Sequence, residues 1–173
     1  MDINIRNAHP AEFDKAGRLM YDAYSQLDGF PKPKDQPAYY EMLLNVGKFC
    51  SKPETKLFIA TDSERLHGAV VYFNDMQYYG SGGMATKELH AAGFRLLAVD
   101  PAARGRGIGK MLTLACVEEA RKNLKKSVII HTTEAMRIAW QMYETLGFKR
   151  APKLDFVQGN LSVYGLRYNF HEH

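Results

Sequence analysis

The chain has 173 residues, 46% hydrophobic and 24% charged, an ordinary globular composition at the length of one domain of about 100–200 residues. At this size roughly 70% of the unfolded surface is buried on folding, so neither a metal nor a disulfide is needed, and a disordered, collagen-like or disulfide-dense chain is excluded. The net charge of +4, with a pI near 9.0, suits an anionic small ligand and is too thin for a dedicated nucleic-acid binder, whose basic residues cluster.

Cys50 and Cys116 are far apart and form no C-x-x-C, so they read as reduced core thiols of a cytoplasmic protein. No run of about 18 apolar residues is present, so no membrane span is expected. The start, Met1-Asp2-Ile3-Asn4-Ile5-Arg6, lacks the basic region and apolar core of a signal peptide. His171 and His173 read as an unordered tail rather than a metal site, and no metal is expected.

In chain order, residues 3–7 alternate apolar and polar and predict a short strand. Pro10 opens a helix carrying Phe13, Ala16, Leu19, Met20, Ala23 and Tyr24 at helical spacing, broken by the glycine and prolines of residues 29–34. A second helix is expected over residues 37–50, ending before Pro53. Residues 56–61 and 66–74 read as paired strands about a turn at 62–65. Gly80-Ser81-Gly82-Gly83 reads as a flexible loop. Residues 92–99 form a continuous apolar run, broken only by Arg95, as expected of a central buried strand. Ile108, Met111, Leu112, Ala115, Cys116 and Ala120 stripe the next helix. A β-branched strand follows at residues 127–131, then a helix marked by Ala135, Ile138, Ala139, Met142, Tyr143 and Leu146 and stopped at Gly147. A further strand is expected at 161–170 and a short one near 149–151, with residues 155–160 as a turn. The order predicts an α/β (α+β) protein: a mixed central sheet of six to seven strands flanked by about four helices.

The most informative segment is Arg104-Gly105-Arg106-Gly107-Ile108-Gly109-Lys110, between the central strand and the third helix. Glycines admit close backbone approach, and a helix N-terminus offers unpaired N–H groups and partial positive charge, a combination that binds phosphate. A Walker A loop fails because Arg104 stands where its first glycine belongs and Met111 replaces the metal-binding hydroxyl. A dinucleotide fingerprint starting at Gly105 fails because it needs glycine at Lys110.

The segment matches [Q/R]-x-x-G-x-[G/A] and so resembles the acyl-CoA motif of the GNAT superfamily of N-acetyltransferases. Met142-Tyr143-Glu144-Thr145-Leu146-Gly147-Phe148 resembles that family's frequent Tyr-x-x-x-Gly-Phe ending, and the resemblance is specific over residues 93–148. It implies one N-acetyltransferase domain over residues 1–173, its mixed sheet mostly antiparallel, that moves an acetyl group from acetyl-CoA to an amine of a small molecule or peptide. The coenzyme would be held by the backbone of Leu97, Ala98 and Val99 and by Arg104, Gly105, Arg106, Gly107, Ile108, Gly109 and Lys110. An N–H at Leu97 or Val99 would polarise the thioester oxygen.

Tyr143 is the candidate general acid, since a phenol with pKa near 10 is neutral at pH 7 and can give its proton to a thiolate. Its place on an apolar stripe equally suits a core tyrosine. Met136 stands where many relatives carry an asparagine that touches the coenzyme. Several relatives place a basic carboxylate near the start of the central strand, where Gly93 has no side chain; Glu88 and His90 are nearby in sequence, and a water chain can replace a dedicated base. The acceptor side is expected among the early helices, the loop at 78–83 and the turn at 155–160, with Tyr21, Tyr24, Tyr39, Tyr40, Tyr78 and Tyr79 lining it and Asp75, Glu88 or Asp155 attracting a cationic amine. Two rivals stay open: a non-catalytic coenzyme-binding module on the same fold, and nucleic-acid binding through Arg104, Arg106, Lys122, Lys125 and Lys126, which lack interleaved stacking aromatics. A homodimer is compatible with the resemblance.

Overall fold

The computed structural model describes residues 2–172; Met1 and the tail residue His173 lie outside the described residues. Its elements are β1 (Asn4–Asn7), α1 (Phe13–Ser25), α2 (Pro37–Leu44), β2 (Thr55–Thr61), β3 (Leu66–Phe73), β4 (Ala91–Val99), α3 (Ile108–Lys122), β5 (Ser127–Thr132), α4 (Arg137–Leu146), β6 (Lys149–Arg150), β7 (Phe156–Gln158) and β8 (Leu161–Asn169). The strands order as β1-β2-β3-β4-β5-β8-β6, with β7 pairing β8. Pairing is antiparallel for β1 with β2 and for β5, β6 and β7 with β8, and parallel for β4 with β5. The mixed, mostly antiparallel sheet and its helices match the expected architecture, and β4 is central as its apolar run requires. None of the described helices is long and apolar enough to cross a membrane.

Differences from the sequence reading have local causes. The eighth strand is β7, inside the segment read as a turn; a two-residue connection through Gly159 (φ +62°) joins it to β8 from Gln158↔Leu161. Val157 is exposed, so this strand lacks a buried apolar face to announce it. The second helix stops at Leu44 and continues as a 3₁₀ turn over Val46–Ser51. Asn45 leaves helical geometry (φ −104°, ψ 29°), and its side-chain amide adds a second bond to the Glu41 carbonyl that already accepts from the Asn45 N–H. Ile138, placed on the buried stripe of the last helix, is exposed. Cys116 is buried as expected, whereas Cys50 is only half-buried.

The chain forms two compact units, one comprising residues up to Val71 and Leu96–Ala115, the other Tyr72–Arg95 and Cys116 onward. The first buries Ala16, Met20, Leu43, Ile59, Val70 and Leu112 completely. Its α1 and α2 meet backbone to backbone at Gly17, where a Cβ would stand 2.5 Å from the Leu44 oxygen and 2.8 Å from the Leu43 oxygen. Backbone atoms cannot step aside as a side-chain tip can. Gly17→Ala is therefore expected to destabilise by about 1–3 kcal/mol, the range for overpacking, seen as a lower urea midpoint at unchanged m. The second unit buries Tyr72, Phe73, Val128, Ile129, Phe148 and Leu166.

Candidate active site

In the first unit, β4 delivers the chain to the glycine-rich turn. Asp100 anchors the exit: its N–H donates to the His67 carbonyl (2.8 Å), and its carboxylate accepts from the Ala102 N–H (3.0 Å). Ala103 is buried, and Arg104 through Gly107 then run exposed to α3. Gly105 (φ +81°) and Gly107 (φ +76°) are left-handed, and nothing lies within 4 Å of where their Cβ atoms would be. Glycine is required here by backbone conformation, not by crowding, and the turn leaves open space over its main chain. The first helical bond of α3 runs from the Met111 N–H to the Gly107 carbonyl (3.0 Å). The N–H groups of Ile108, Gly109 and Lys110 precede it and remain available. Arg104, Arg106 and Lys110 are exposed around them. This donor set fits a pyrophosphate.

Upstream, Leu96 is left-handed (φ +64°), a bulge in β4. The ladder to β5 covers Ala91↔Ser127, Ala92↔Val128 and Gly93↔Ile129, ending three residues before that bulge. Beyond it, Leu97 and Val99 are half-buried and Ala98 is buried. Sequence reasoning named these residues but not the bulge, which a leucine does not advertise.

In the second unit, the Tyr-x-x-x-Gly-Phe motif has a mechanical explanation. Gly147 is left-handed (φ +113°) and ends α4. The Gly147 N–H donates to the Glu144 carbonyl (3.1 Å) and the Phe148 N–H to the Tyr143 carbonyl (3.0 Å), the paired bonds of a Schellman stop. The apolar contact of that stop is Tyr143 on Phe148, with ring centroids 5.7 Å apart, and Phe94 completes the cluster at 5.9 Å from Tyr143. The motif thus fixes the Tyr143 ring. Burial pushes the phenol pKa up, so it stays protonated. Among the described residues its hydroxyl makes no hydrogen bond, yet the sealed oxygens without a partner are those of Thr132 and Thr133.

The expected acceptor-side residues of this unit are largely engaged. Asp155 accepts two bonds from Arg150 (2.9 and 2.7 Å) and one from the Gly165 N–H (2.7 Å), which hold its carboxyl below the usual range. Glu88 pairs with Arg167. Asp75 accepts from the Gln77 backbone and side chain. Tyr78 is half-buried. Tyr79 is completely buried and donates to His131 Nδ1 (3.0 Å); that ring's Nε2–H must donate to the Leu154 carbonyl (2.8 Å), which leaves Nδ1 as the acceptor. Burial lowers the His131 pKa and keeps the ring neutral. Gly82 and Gly83, read as a flexible loop, pack on Phe156, where Cβ atoms would come within 2.9 and 3.2 Å of its side chain. At Gly93 a Cβ would meet Met76 Sδ and Tyr79 Cε1 at 2.8 Å and the Ile129 oxygen at 2.9 Å, so packing forbids a side chain there. Among the described residues no group of three or more His, Cys, Asp or Glu is placed to hold a metal ion.

A family model described as "Acetyltransferase (GNAT) family" matches residues 19–148, spanning the turn, β4, α3 and the Schellman stop. The chain belongs to this family. Among curated GNAT relatives it is 27% identical over 125 residues to an uncharacterized N-acetyltransferase, YjgM, of Escherichia coli, covering 70% of this chain and 73% of the relative. It is 38% identical over 55 residues to a mycothiol acetyltransferase of Thermomonospora curvata; that match covers 32% of this chain and only 18% of the relative's length. Among solved structures, the PaiA N-acetyltransferase of Thermoplasma acidophilum in complex with coenzyme A superposes with a TM-score of 0.72 at 16% identity, covering 98% of this chain and all of that one. A GNAT-family acetyltransferase of Staphylococcus aureus superposes equally well, with a TM-score of 0.72 at 14% identity, covering 97% and 99%. At such identities the superpositions show the shared GNAT fold.

Proposed function

We propose that this GNAT-family enzyme uses acetyl-CoA to acetylate a primary amine of a small molecule or peptide by direct transfer. The observation that carries the reading is the turn at Gly105 and Gly107. Two left-handed glycines, open space and the unpaired N–H groups of α3 make a seat for a pyrophosphate, within a motif the family shares. The PaiA structure, which holds coenzyme A, supports the same ligand class here.

Acetyl-CoA supplies an acetyl group activated as a thioester. The N–H groups of Ile108, Gly109 and Lys110 and the charges of Arg104, Arg106 and Lys110 hold its phosphates and fix its position. The backbone of Leu97 and Val99 receives the pantetheine arm and offers an N–H to the carbonyl oxygen as negative charge grows there. When nitrogen bonds to the acetyl carbon and the carbon–sulfur bond breaks, Tyr143 donates a hydrogen bond and then a proton to the departing sulfur, and a solvent proton restores the phenol before the next turnover. The ammonium loses its proton to water, since Gly93 is bare and the carboxylates of Glu88 and Asp155 each face an arginine. The free thiols of Cys50 and Cys116 support a reducing, cytoplasmic setting.

The test is ligand-dependent stability. Only the folded chain forms the site, so acetyl-CoA at about 100 times its dissociation constant is expected to add about 2.7 kcal/mol and raise Tm accordingly. ATP and NAD at equal concentration should raise it less. If either nucleotide stabilises more than acetyl-CoA, the coenzyme assignment is wrong.

A further inference from the structure

We propose that Tyr24 is a positioning residue for acyl transfer: by holding the Leu97 carbonyl, it aims the Leu97 and Val99 N–H groups of β4 at the thioester oxygen. The inference rests on the reading above and adds to it a residue of α1. Three observations carry it.

The first is direction. The Asp100 N–H donates to His67 of β3, so by strand alternation Ala98 presents its polar backbone groups toward β3. Leu97 and Val99 then present theirs to the other edge. The Tyr24 hydroxyl donates to the Leu97 carbonyl at 2.9 Å, so Tyr24 stands on the edge where those N–H groups are offered. A carbonyl oxygen has two lone pairs, and this bond occupies one of them.

The second is the need for a tether. Leu96 interrupts β4 with a left-handed φ of +64°, and the ladder to β5 has already ended at Gly93↔Ile129. β3 holds β4 by the edge of Ala98 and Asp100, whereas on the edge of Leu97 and Val99 the pairing with β5 stops short of these residues. Peptide planes are rigid, so fixing the Leu97 carbonyl fixes the plane it shares with Ala98 and limits rotation of Leu97 itself.

The third is the rigidity of the tether. Tyr24 is 7% exposed, and its ring packs against Phe30 and Tyr39 with centroids at 5.4 and 6.3 Å. A hydroxyl carried on a locked ring can hold a main-chain oxygen to the tolerance that acyl transfer demands.

The experiment uses the full chain, acetyl-CoA labelled with ¹³C at the thioester carbonyl, and isotope-edited infrared spectroscopy at saturation. In the wild type the bound carbonyl band is expected below its frequency in water, because an aimed N–H polarises it. Tyr24→Phe keeps the ring packing and removes the bond, and the band should lose more than half of that shift. Affinity for 3′-phosphoadenosine 5′-diphosphate, which carries the coenzyme's two linked phosphates and no pantetheine arm, should stay within about twofold of wild type, because binding energy is local to the groups contacted. Ile59→Val, a trim in the buried β2 core of the same unit, serves as the control for lost stability and should leave the band where it is. An unchanged band in Tyr24→Phe, an unshifted band in the wild type, or an equal change in Ile59→Val overturns the positioning role. Failure of the wild type to bind 3′-phosphoadenosine 5′-diphosphate is a different result and overturns the coenzyme reading itself.

Discussion

Tyr143→Phe is expected to reduce kcat at least 100-fold while leaving the protein folded. General acid catalysis contributes about 100- to 10,000-fold, and the lost proton matters chiefly in the transition state, so acetyl-CoA affinity should change little. The surroundings of Tyr143 make the test clean. The phenylalanine ring keeps the contacts to Phe94 and Phe148, and the missing hydroxyl leaves no hydrogen-bond partner stranded among the described residues. Stability should shift by less than about 1 kcal/mol, since the cost of losing a hydroxyl lies mostly in the partner left behind. Because burial raises the phenol pKa, Tyr143 should also add no falling limb to the rate profile at mildly alkaline pH. The check pairs steady-state kinetics on an amine acceptor with thermal unfolding of the same variant. A near-normal kcat would show that Tyr143 is a core tyrosine and nothing more.

Gly107→Glu is expected to weaken acetyl-CoA binding by about 100-fold or more. A carboxylate about 4 Å from a phosphate charge costs on the order of 1–4 kcal/mol per charge pair near a surface, and about 1.4 kcal/mol is tenfold in affinity. A side chain at φ +76° carries a strain of about 1–2 kcal/mol, but no neighbouring atom lies within 4 Å to oppose it. A glutamate beside a helix N-terminus also favours the helix. The fold should therefore persist while the anion site is filled by the protein's own charge. Gly107→Ala separates the two contributions: it carries the backbone strain without the charge and should bind appreciably better than Gly107→Glu in calorimetry. Equal affinities of Gly107→Glu and wild type would dissociate the turn from the coenzyme.

What could be read from the sequence was what the backbone demands of residue type. Gly105 and Gly107 are legible because only glycine enters their conformation freely, and Gly147 because a Schellman stop requires the same freedom. Apolar periodicity located α1, α3 and α4 because one face of each is buried, and an almost unbroken apolar run located β4 because it is buried on both faces. Side-chain partners were not legible. The bond from Tyr24 to Leu97 spans 73 residues, and nothing in either residue type names the other. Asp155 looked available because Arg150 and the Gly165 N–H reach it only once β6, β7 and β8 have assembled. The bulge at Leu96 was invisible because it falls on a leucine, where a residue pattern would look for glycine or asparagine. β7 was missed because three residues with an exposed valine carry no periodicity, and only pairing with β8 makes them a strand.

The closeness of Met76, Tyr79 and Ile129 around Gly93 bears on how this enzyme can change over generations. A lineage that began with glycine here cannot acquire a carboxylate base on that strand by one substitution, because the first atom of any side chain collides with a backbone oxygen and two buried side chains. The ring of Tyr79 is in turn held by His131 and Arg95, so making room would disturb several residues before any benefit could be selected. A side chain that took the proton of the amine would therefore have to stand at another position, with glycine kept at 93.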